Sequence, residues 1–363
     1  MIGQNEYYPQ SVPHPGIDLA ECLEELGMGP KEFSVRTGKP EKTIIAVLKG
    51  DSSITTDMAF QFENTLHIPA RYWIQRQRDY DESLARSQYR KAIDKSTDWA
   101  RKFPLRAMIR LGWLPDSRRI QDKTSDLLSF FGFSNYKAWE AYYLEQSLKV
   151  AFRISLLQTM DPYAISAWLW KGEQQSQGMK VAEFSGHAFK MALVKIKGIM
   201  AKHPAGFFPL LQKACSEAGV KLVFTPCLPK TPISGSTRWV GDNPLIQLSG
   251  RYKRNDIFWF TFFHEAGHVL LHGKREVFLE NAAWKGCDQS KEQAADNFAV
   301  KWTLSEDEER QITESFPLTQ DAIIEFAEHF GTHPAIIVGR LQHRKLVSYA
   351  FGRSLIRPVN LVG

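Results

Sequence analysis

The sequence predicts an α+β protein that is mainly helical, with an N-terminal five-helix domain, a helical middle and a C-terminal domain that contains a small β-sheet. Three observations indicate this fold class. Proline and glycine bound a series of short apolar patterns in residues 13–80, and amphipathic helical patterns fill residues 91–205. From Gly219 onwards, the spacing of the apolar residues changes from a helical pattern to a strand pattern, and a strongly apolar helical pattern follows these strands. The predicted domains are residues 1–90, 91–204 and 205–345, followed by a C-terminal tail, 346–363.

Proline and glycine mark the ends of the N-terminal helices. Proline suits the first turn of a helix, and glycine suits the position just beyond its end. The predicted helices begin at Pro15, at Pro30, at Pro40 as the first helical residue, at Thr55 or Thr56, and at Pro69, and the first three end at Gly27, Gly38 and Gly50. Two short helices joined by a tight glycine turn within such a set are typical of a helix-turn-helix. Its third helix is the predicted DNA reader, and the candidate DNA-binding residues are Lys39, Lys42, Thr43 and Lys49.

The same segment carries residues of a known helix-turn-helix group: His14-Pro15-Gly16, Leu23 to Gly27, Lys49-Gly50, Met58-Ala59 and Tyr72-Trp73-Ile74. On these residues it resembles the HigA-type antitoxin form of the Xre-like helix-turn-helix, over about residues 10–90. The resemblance implies binding to promoter DNA, a place in a toxin–antitoxin system and a homodimer formed through this domain. Glu41 and Ile45 stand at reader positions that are expected to be polar, and a carboxylate near phosphates is unfavourable. A purely structural or dimerising helical domain is the alternative interpretation.

The middle of the chain is basic. Residues 91–260 hold 25 Lys/Arg against 13 Asp/Glu, whereas residues 1–90 hold 10 against 13. A solvated helical surface is the default interpretation of this excess, and contact with nucleic acid or with an acidic partner is the alternative. Helices are predicted at 105–111, 120–131, 138–157, 164–169 and 184–200, with a loop at 172–178.

A small sheet is predicted ahead of the strongly apolar helix. Residues 220–224 form a strand, and residues 236–240 and 245–248 form a hairpin across the turn 241–244. An edge strand of such a sheet can add the backbone of a bound peptide by β-augmentation. The sheet therefore indicates a scaffold for peptide capture.

A His-Glu-x-x-His pattern lies inside the strongly apolar helix. His264 and His268 are four residues apart, so they project from one face of the helix and can bind one metal ion. Glu265 is offset by about 100° around the helix, where its carboxylate can take a proton from a water whose pKa zinc lowers to about 7. Gly273 follows as the predicted C-cap. The alternative is a hydrogen-bonded core cluster, but burying these groups costs on the order of several kcal/mol unless they are paired or bind metal.

Zinc enzymes of this type take a third protein ligand. The next helical pattern, capped by Ser290 or Asp288, supplies Glu292 for this role. Asp296 lies four residues later on the same helix face and is predicted to accept the spare ring N–H of a ligating histidine. The other ligand candidates are His272, Glu276, Glu280 and Cys287, and the candidates for an oxyanion-stabilising residue are His272, Arg238 and Tyr252.

Three stretches carry the residues of a known peptidase group: Ser234 to Trp239, Phe258 to Gly273 and Glu292 to Ala299. On them the chain resembles the ImmA/IrrE-type metallopeptidases over about residues 205–345. The resemblance implies a zincin-like domain in which His264, His268 and Glu292 bind Zn2+ and Glu265 is the general base. Fused to an antitoxin-like domain, it implies a regulator that cleaves a specific repressor or toxin. The alternative is a repressor or antitoxin whose peptidase-like domain only binds its partner.

The sequence favours a cytoplasmic location. It contains no apolar run of about 18 residues, so no membrane span is expected. Residues 1–10 are polar and lack the apolar core of a signal peptide. The four cysteines are widely separated, which suggests reduced thiols; they are Cys22, Cys215, Cys227 and Cys287.

Overall fold

The structure is a computed structural model, and it describes residues 12–143, 161–272, 278–279, 289–359 and 361. It has two compact units, Met1–Lys95 and Ser96–Gly363. The predicted boundary at residue 90 lies close to the observed one, whereas the predicted boundaries at residues 204 and 345 fall inside the second unit. Most of the predicted helical middle region falls within the same compact unit as the predicted C-terminal domain. No helix in the described ranges is long and apolar enough to cross a membrane.

Five helices form the first unit, as predicted. They are α1 (Pro15–Glu25), α2 (Pro30–Thr37), α3 (Glu41–Leu48), α4 (Thr56–Leu66) and α5 (Ala70–Ala100), the last of which extends past the boundary between the units. The side chains of His14 and Thr55 cap α1 and α4 by accepting backbone N–H groups. Pro40 precedes α3 instead of forming its first residue, so that detail of the prediction is wrong. In the core, Trp73 packs edge-on against Phe62, with ring centroids 5.7 Å apart.

Helices also make up most of the second unit. Those in its described residues are α6 (Leu105–Arg110), α7 (Ile120–Phe131), α8 (Tyr136–Glu140), α9 (Pro162–Gln177), α10 (Gly186–Lys202), α11 (Phe207–Glu217), α12 (Asn255–Leu271), α13 (Gln289–Thr303), α14 (Glu306–Glu314), α15 (Gln320–Phe330), α16 (Pro334–His343) and a short 3-10 helix (Arg353–Leu355). The predicted loop at 172–178 is wrong, because α9 continues through Gly172. This glycine serves packing, since a Cβ there would collide with the side chain of Gln247. The later part of the helix predicted at 138–157 lies outside the described residues.

A four-stranded sheet lies beside α12, and three of its strands precede this helix in the sequence. Its strands are β1 (Lys221–Phe224), β2 (Gly235–Val240), β3 (Asn243–Leu248) and β4 (Phe278–Leu279), in the order β1-β3-β2-β4. The predicted hairpin is present as the antiparallel pair β2 and β3, and β1 runs parallel to β3. The two-residue strand β4 was not predicted, and it pairs with β2 at Ser236 and Thr237.

Helix α12 is the centre of the second unit. It packs against α13, α16 and strands β2 and β3, and its side chains are buried along most of its length. Trp259, Phe262 and Phe263 on this helix are fully buried in a core shared with α10, α11 and the sheet. Burial on nearly every side explains why the sequence of α12 is apolar all round instead of striped.

Part of the predicted C-terminal tail lies against the start of α12. Residues 357–359 form a strap across residues 253–255. The backbone N–H of Asn255 donates to the Arg357 carbonyl, and the N–H of Val359 donates to the Lys253 carbonyl, each at 3.0 Å. The Asn255 side chain also accepts the N–H of Arg357 at 3.0 Å. The strap therefore fixes the first turn of the helix that carries the histidine pair.

Two buried histidines near the start of α12 predict a loss of stability in acid. His203 accepts a hydrogen bond from the indole N–H of Trp259 at 3.1 Å, and His333 accepts one from the N–H of Ala335 at 3.1 Å. Burial, with the positive charge of Arg357, lowers the pKa of His203 to about 4; burial, with His203 and Arg357, does the same for His333. Because these folded-state pKa values lie below the ordinary value near 6.5, the unfolded chain binds protons first. Stability is therefore present above pH 6.5 and is lost as the pH falls from about 6.5 towards 4.

We expect the midpoint of thermal unfolding to fall by roughly 5–10 °C between pH 7 and pH 4.5. The measurement is calorimetry on the wild type and on His203→Gln/His333→Gln, in which glutamine can accept the same hydrogen bonds without titrating. The exposed His187→Gln serves as the control. A double variant with the same pH dependence as the wild type would contradict the assignment to these two histidines.

Candidate metal centre

Helices α12 and α13 bring three candidate ligands together. His264 and His268 lie one turn apart on α12, and their Nε2 atoms are 3.0 Å from each other. Glu292 on α13 places Oε2 at 3.3 Å from Nε2 of His264 and Oε1 at 3.6 Å from Nε2 of His268. The three donor groups lie within 4.8 Å of one another, and in the described residues they form the one such group found. Three candidate alternatives, Glu276, Glu280 and Cys287, lie outside the described residues.

The surroundings of these groups set their protonation. His264 and His268 are each 2% exposed. Burial is the main cause that lowers the pKa of His268, so its ring is neutral at neutral pH. Burial alone would raise the pKa of Glu292, but hydrogen bonds to both imidazoles outweigh it and hold that pKa well below its usual range. A neutral imidazole and an ionised carboxylate are the states in which these groups bind a metal.

The donor set fits a zinc ion. Two imidazole nitrogens and one carboxylate oxygen are the protein ligands of one class of catalytic zinc site, in which a further position stays open for water or substrate. The Nε2 atoms of both histidines and both oxygens of Glu292 converge on the same small volume. The chemistry and the placement of the donors therefore agree.

The second ring nitrogen, Nδ1, of each of the two histidines contacts a further side chain. Asp296, one turn after Glu292 on α13, places Oδ1 at 2.9 Å from Nδ1 of His264. His272, at the C-terminal end of α12, places its Nδ1 at 3.0 Å from Nδ1 of His268. Such outer contacts fix the tautomer and orientation of a ligating ring. The sequence pointed to Asp296 for this role, whereas it offered His272 as a candidate for ligation or for stabilising an oxyanion.

Glu265 directly follows His264 on α12 and is completely buried. Its carboxylate Oε2 accepts a hydrogen bond of 2.5 Å from the hydroxyl of Thr237 on β2. Gly235, two residues earlier on the same strand, leaves room for this side chain, because a Cβ there would lie 2.5 Å from Oε1 of Glu265. Sequence reasoning missed Thr237 and Gly235. The signal available was strand alternation, which puts both residues on one face of β2.

The three candidates for an oxyanion-stabilising residue have different surroundings. Arg238 points to the other face of β2, where it pairs with Glu173 at 3.1 Å and donates to the Leu169 carbonyl at 2.6 Å. Tyr252 is about half exposed and lies under the guanidinium of Arg251, 4.9 Å from its ring centroid. His272 contacts His268 as described above. Arg238 and Tyr252 are thus engaged elsewhere.

The four candidate DNA-binding residues lie along or beside α3. Lys42 and Lys49 are exposed, and Thr43 is partly buried. Lys39 forms an ion pair with Asp57 on α4 at 2.5 Å, so its ammonium is directed to a carboxylate of its own unit. Of the four residues, Lys42 and Lys49 are therefore exposed to solvent, whereas Lys39 is engaged in an ion pair.

A buried helix with the His-Glu-x-x-His pattern, a glutamate on the next helix and a small sheet beside them define a metallopeptidase-like domain. Residues 215–342 match one family of this class, the IrrE N-terminal-like domain, Peptidase_M78. This match confirms the resemblance predicted for the C-terminal part. No curated protein matches the chain.

Three solved structures are similar to part of this chain. One is an addiction module antidote protein of the HigA family from Coxiella burnetii, with 30% identity over 23% of this chain and 92% of that chain and a TM-score of 0.22. A putative antidote protein of a plasmid maintenance system from Nostoc punctiforme has 28% identity over 23% and 91%, with a TM-score of 0.23. The Pseudomonas aeruginosa antitoxin HigA, solved with the higBA promoter, has 23% identity over 23% and 94%, with a TM-score of 0.23.

Proposed function

We propose that this protein is a cytoplasmic regulator or antitoxin whose C-terminal domain is a zinc-dependent endopeptidase that cleaves one specific protein partner, a repressor or a toxin. The observation that carries the proposal is the convergence of His264, His268 and Glu292, with the fully buried Glu265 next to His264 on the same helix. A domain that only binds a partner has no need for a general base at this place. The match to the IrrE N-terminal-like domain supports the same class of activity.

The residues of the site divide the work of peptide hydrolysis between them. His264, His268 and Glu292 would hold the zinc ion, and Asp296 and His272 would hold the two rings in the required tautomer. Bound zinc supplies Lewis-acid chemistry, which lowers the pKa of a water molecule and polarises a carbonyl group. Glu265 accepts the proton of the attacking water and delivers it to the departing amine.

The test of this function uses the full chain and the protein encoded next to its gene. We expect the zinc-loaded chain to cut that protein into discrete fragments, to lose this activity with a chelator and to regain it when zinc is added back. Casein serves as the general substrate for comparison. Efficient cleavage of casein at the same rate would contradict the proposed specificity for one partner. If neither protein is cleaved but the neighbouring protein is bound tightly, the proposed peptidase activity is contradicted.

The second candidate function is a DNA-binding repressor or antitoxin whose peptidase-like domain only holds its partner. It is favoured by the five-helix unit and by the exposed Lys42 and Lys49 on and after α3. The two functions are compatible, because a DNA-bound regulator can also carry a peptidase. The role of Glu265 distinguishes the two functions, because a domain that only binds its partner does not require a general base.

DNA binding by this unit is expected to be modest and sensitive to salt. We expect Lys42→Gln and Lys49→Gln each to weaken binding to the protein's own promoter region and to reduce the slope of log K against log salt by about 1, because each removes one phosphate contact. The matched control is the exposed Lys91→Gln on α5. The measurement is fluorescence anisotropy over a range of salt concentrations. An unchanged slope in both variants would contradict DNA binding through these residues and would favour a dimerising or partner-binding role for the unit.

A further inference from the structure

Strand β2 presents two different faces to its surroundings. Gly235 and Thr237 face α12, where both contact Glu265. Ser236 and Arg238 point the other way, and their side chains contact each other at 3.3 Å. This alternation is the normal period of a strand. The face formed by Gly235 and Thr237 is therefore the surface on which the Glu265 side chain rests, and we call it the Glu265 seat.

The hydroxyl of Thr237 contacts two parts of the same residue. It lies 2.5 Å from the carboxylate Oε2 of Glu265 and 3.1 Å from the backbone carbonyl oxygen of Glu265. A single side chain thus links the end of the Glu265 side chain to its own helix backbone. Because a hydrogen bond fixes the positions of both of its partners, this contact restricts the rotamers that Glu265 can adopt.

The Glu265 seat cannot easily move away, because β2 is anchored on its other face. Arg238 is 5% exposed, pairs with Glu173 and donates to the Leu169 carbonyl, and both of these partners lie on α9. The side chain of Gln247 on the neighbouring strand β3 donates to the Trp168 carbonyl of α9 at 2.7 Å. Helix α9 therefore supports the strand from behind while Thr237 contacts Glu265 in front.

We propose that Thr237 is a positioning residue that holds the carboxylate of Glu265 towards the metal group. This inference rests on the proposed function, since it assigns a role in the same site. Gly235 contributes the space for the carboxylate, and Thr237 contributes the hydrogen bond that directs it. A general base must lie within hydrogen-bond reach of the proton that it removes, so a loss of direction reduces the turnover rate more than it reduces substrate binding.

The kinetic test compares three variants of the full chain. Thr237→Val keeps the shape and removes the hydroxyl, and we expect kcat to fall by about 10–100-fold with KM within about 2-fold of the wild type and zinc content unchanged. Thr237→Ser restores the hydroxyl and should restore kcat to within about 3-fold. The control is Thr303→Val, which removes a buried hydroxyl that donates to the Ala299 carbonyl within α13. A Thr237→Val protein with kcat within 2-fold of the wild type, or a Thr237→Ser protein as slow as Thr237→Val, would overturn the proposal.

A second measurement separates failure of this inference from failure of the proposed enzyme. The free energy of unfolding is measured in a double-mutant cycle of Thr237→Val and Glu265→Met, without any substrate. If the hydroxyl acts on the Glu265 carboxylate, Thr237→Val should change the unfolding constant about 10-fold more in the wild type than in the Glu265→Met background. A coupling below about 2-fold overturns the inference, whatever the enzyme does. Strong coupling in a chain that cleaves nothing would support the contact between Thr237 and Glu265 and contradict only the proposed peptidase activity. If Thr237→Val does not fold, Thr237→Ala takes its place in the cycle.

Discussion

Glu265→Gln is expected to lower the rate of partner cleavage by about 10²–10⁴-fold while the chain keeps its fold and its zinc. Glutamine has the size of glutamate and can still accept the hydrogen bond from Thr237, but its amide cannot take up the proton of the attacking water. Because Glu265 is not among the three candidate ligands, its replacement leaves the donor set intact. The measurements are cleavage of the partner under single-turnover conditions, zinc content by atomic spectroscopy and the midpoint of thermal unfolding.

The matched control for this variant is Glu217→Gln, an exposed glutamate at the end of α11 in the same unit. It makes the same chemical change away from the site and should retain the wild-type rate. Cleavage by a clean preparation of Glu265→Gln at more than about a tenth of the wild-type rate would refute the assignment of the general base. Loss of zinc in this variant would show that Glu265 helps to hold the metal.

Removal of a ligand should act on the metal itself. The wild type is expected to bind one zinc ion per chain, and His264→Ala and Glu292→Ala should each purify with almost none, because two remaining donors form an incomplete site. Both variants should also lose partner cleavage. Asp296→Ala removes only the contact behind His264 and should weaken zinc binding by about 10–100-fold without abolishing it.

Zinc affinity is measured by competition with a chromophoric chelator, and the exposed Asp307→Ala on α14 serves as the control. The expected order of affinity is wild type and control first, then Asp296→Ala, then the two ligand variants. If Glu292→Ala keeps the full amount of zinc, the third ligand must come from another group, of which Glu276, Glu280 and Cys287 are the candidates. An Asp296→Ala protein as tight as the wild type would show that the aspartate does not support the ring of His264.

The parts of the fold that the sequence predicted are those set by local chemistry. Helices α1 to α4 begin and end where proline, glycine and capping side chains require, within one or two residues of the predicted positions. The placing of His264 and His268 on one face of α12, and of Glu292 and Asp296 on one face of α13, follows from helical spacing alone. The roles of these residues as ligands and general base stay predictions until the experiments above are done.

The parts that the sequence did not predict depend on contacts between distant segments. Gly172 looked like a loop residue, yet it lies inside α9 because its backbone packs against the side chain of Gln247. Thr237 contacts Glu265 across 28 positions of sequence, and neither residue type indicates the other. The strand β4 is only two residues long and acquires its partner from β2. Local propensity carries no information on such pairings, because tertiary packing decides them.

The strap formed by residues 357–359 bears on the order in which the chain folds during synthesis. Its hydrogen bonds join Asn255 to Arg357, which is synthesised 102 residues later. Since a chain emerges from the ribosome in order, the first turn of α12 stays without this support until translation has passed Val359. A nascent chain therefore already displays its complete N-terminal unit while the helix that carries His264 and His268 still lacks its final anchor. Under the proposed function, recognition of DNA or of a partner could begin during synthesis, and cleavage would require translation to have passed Val359.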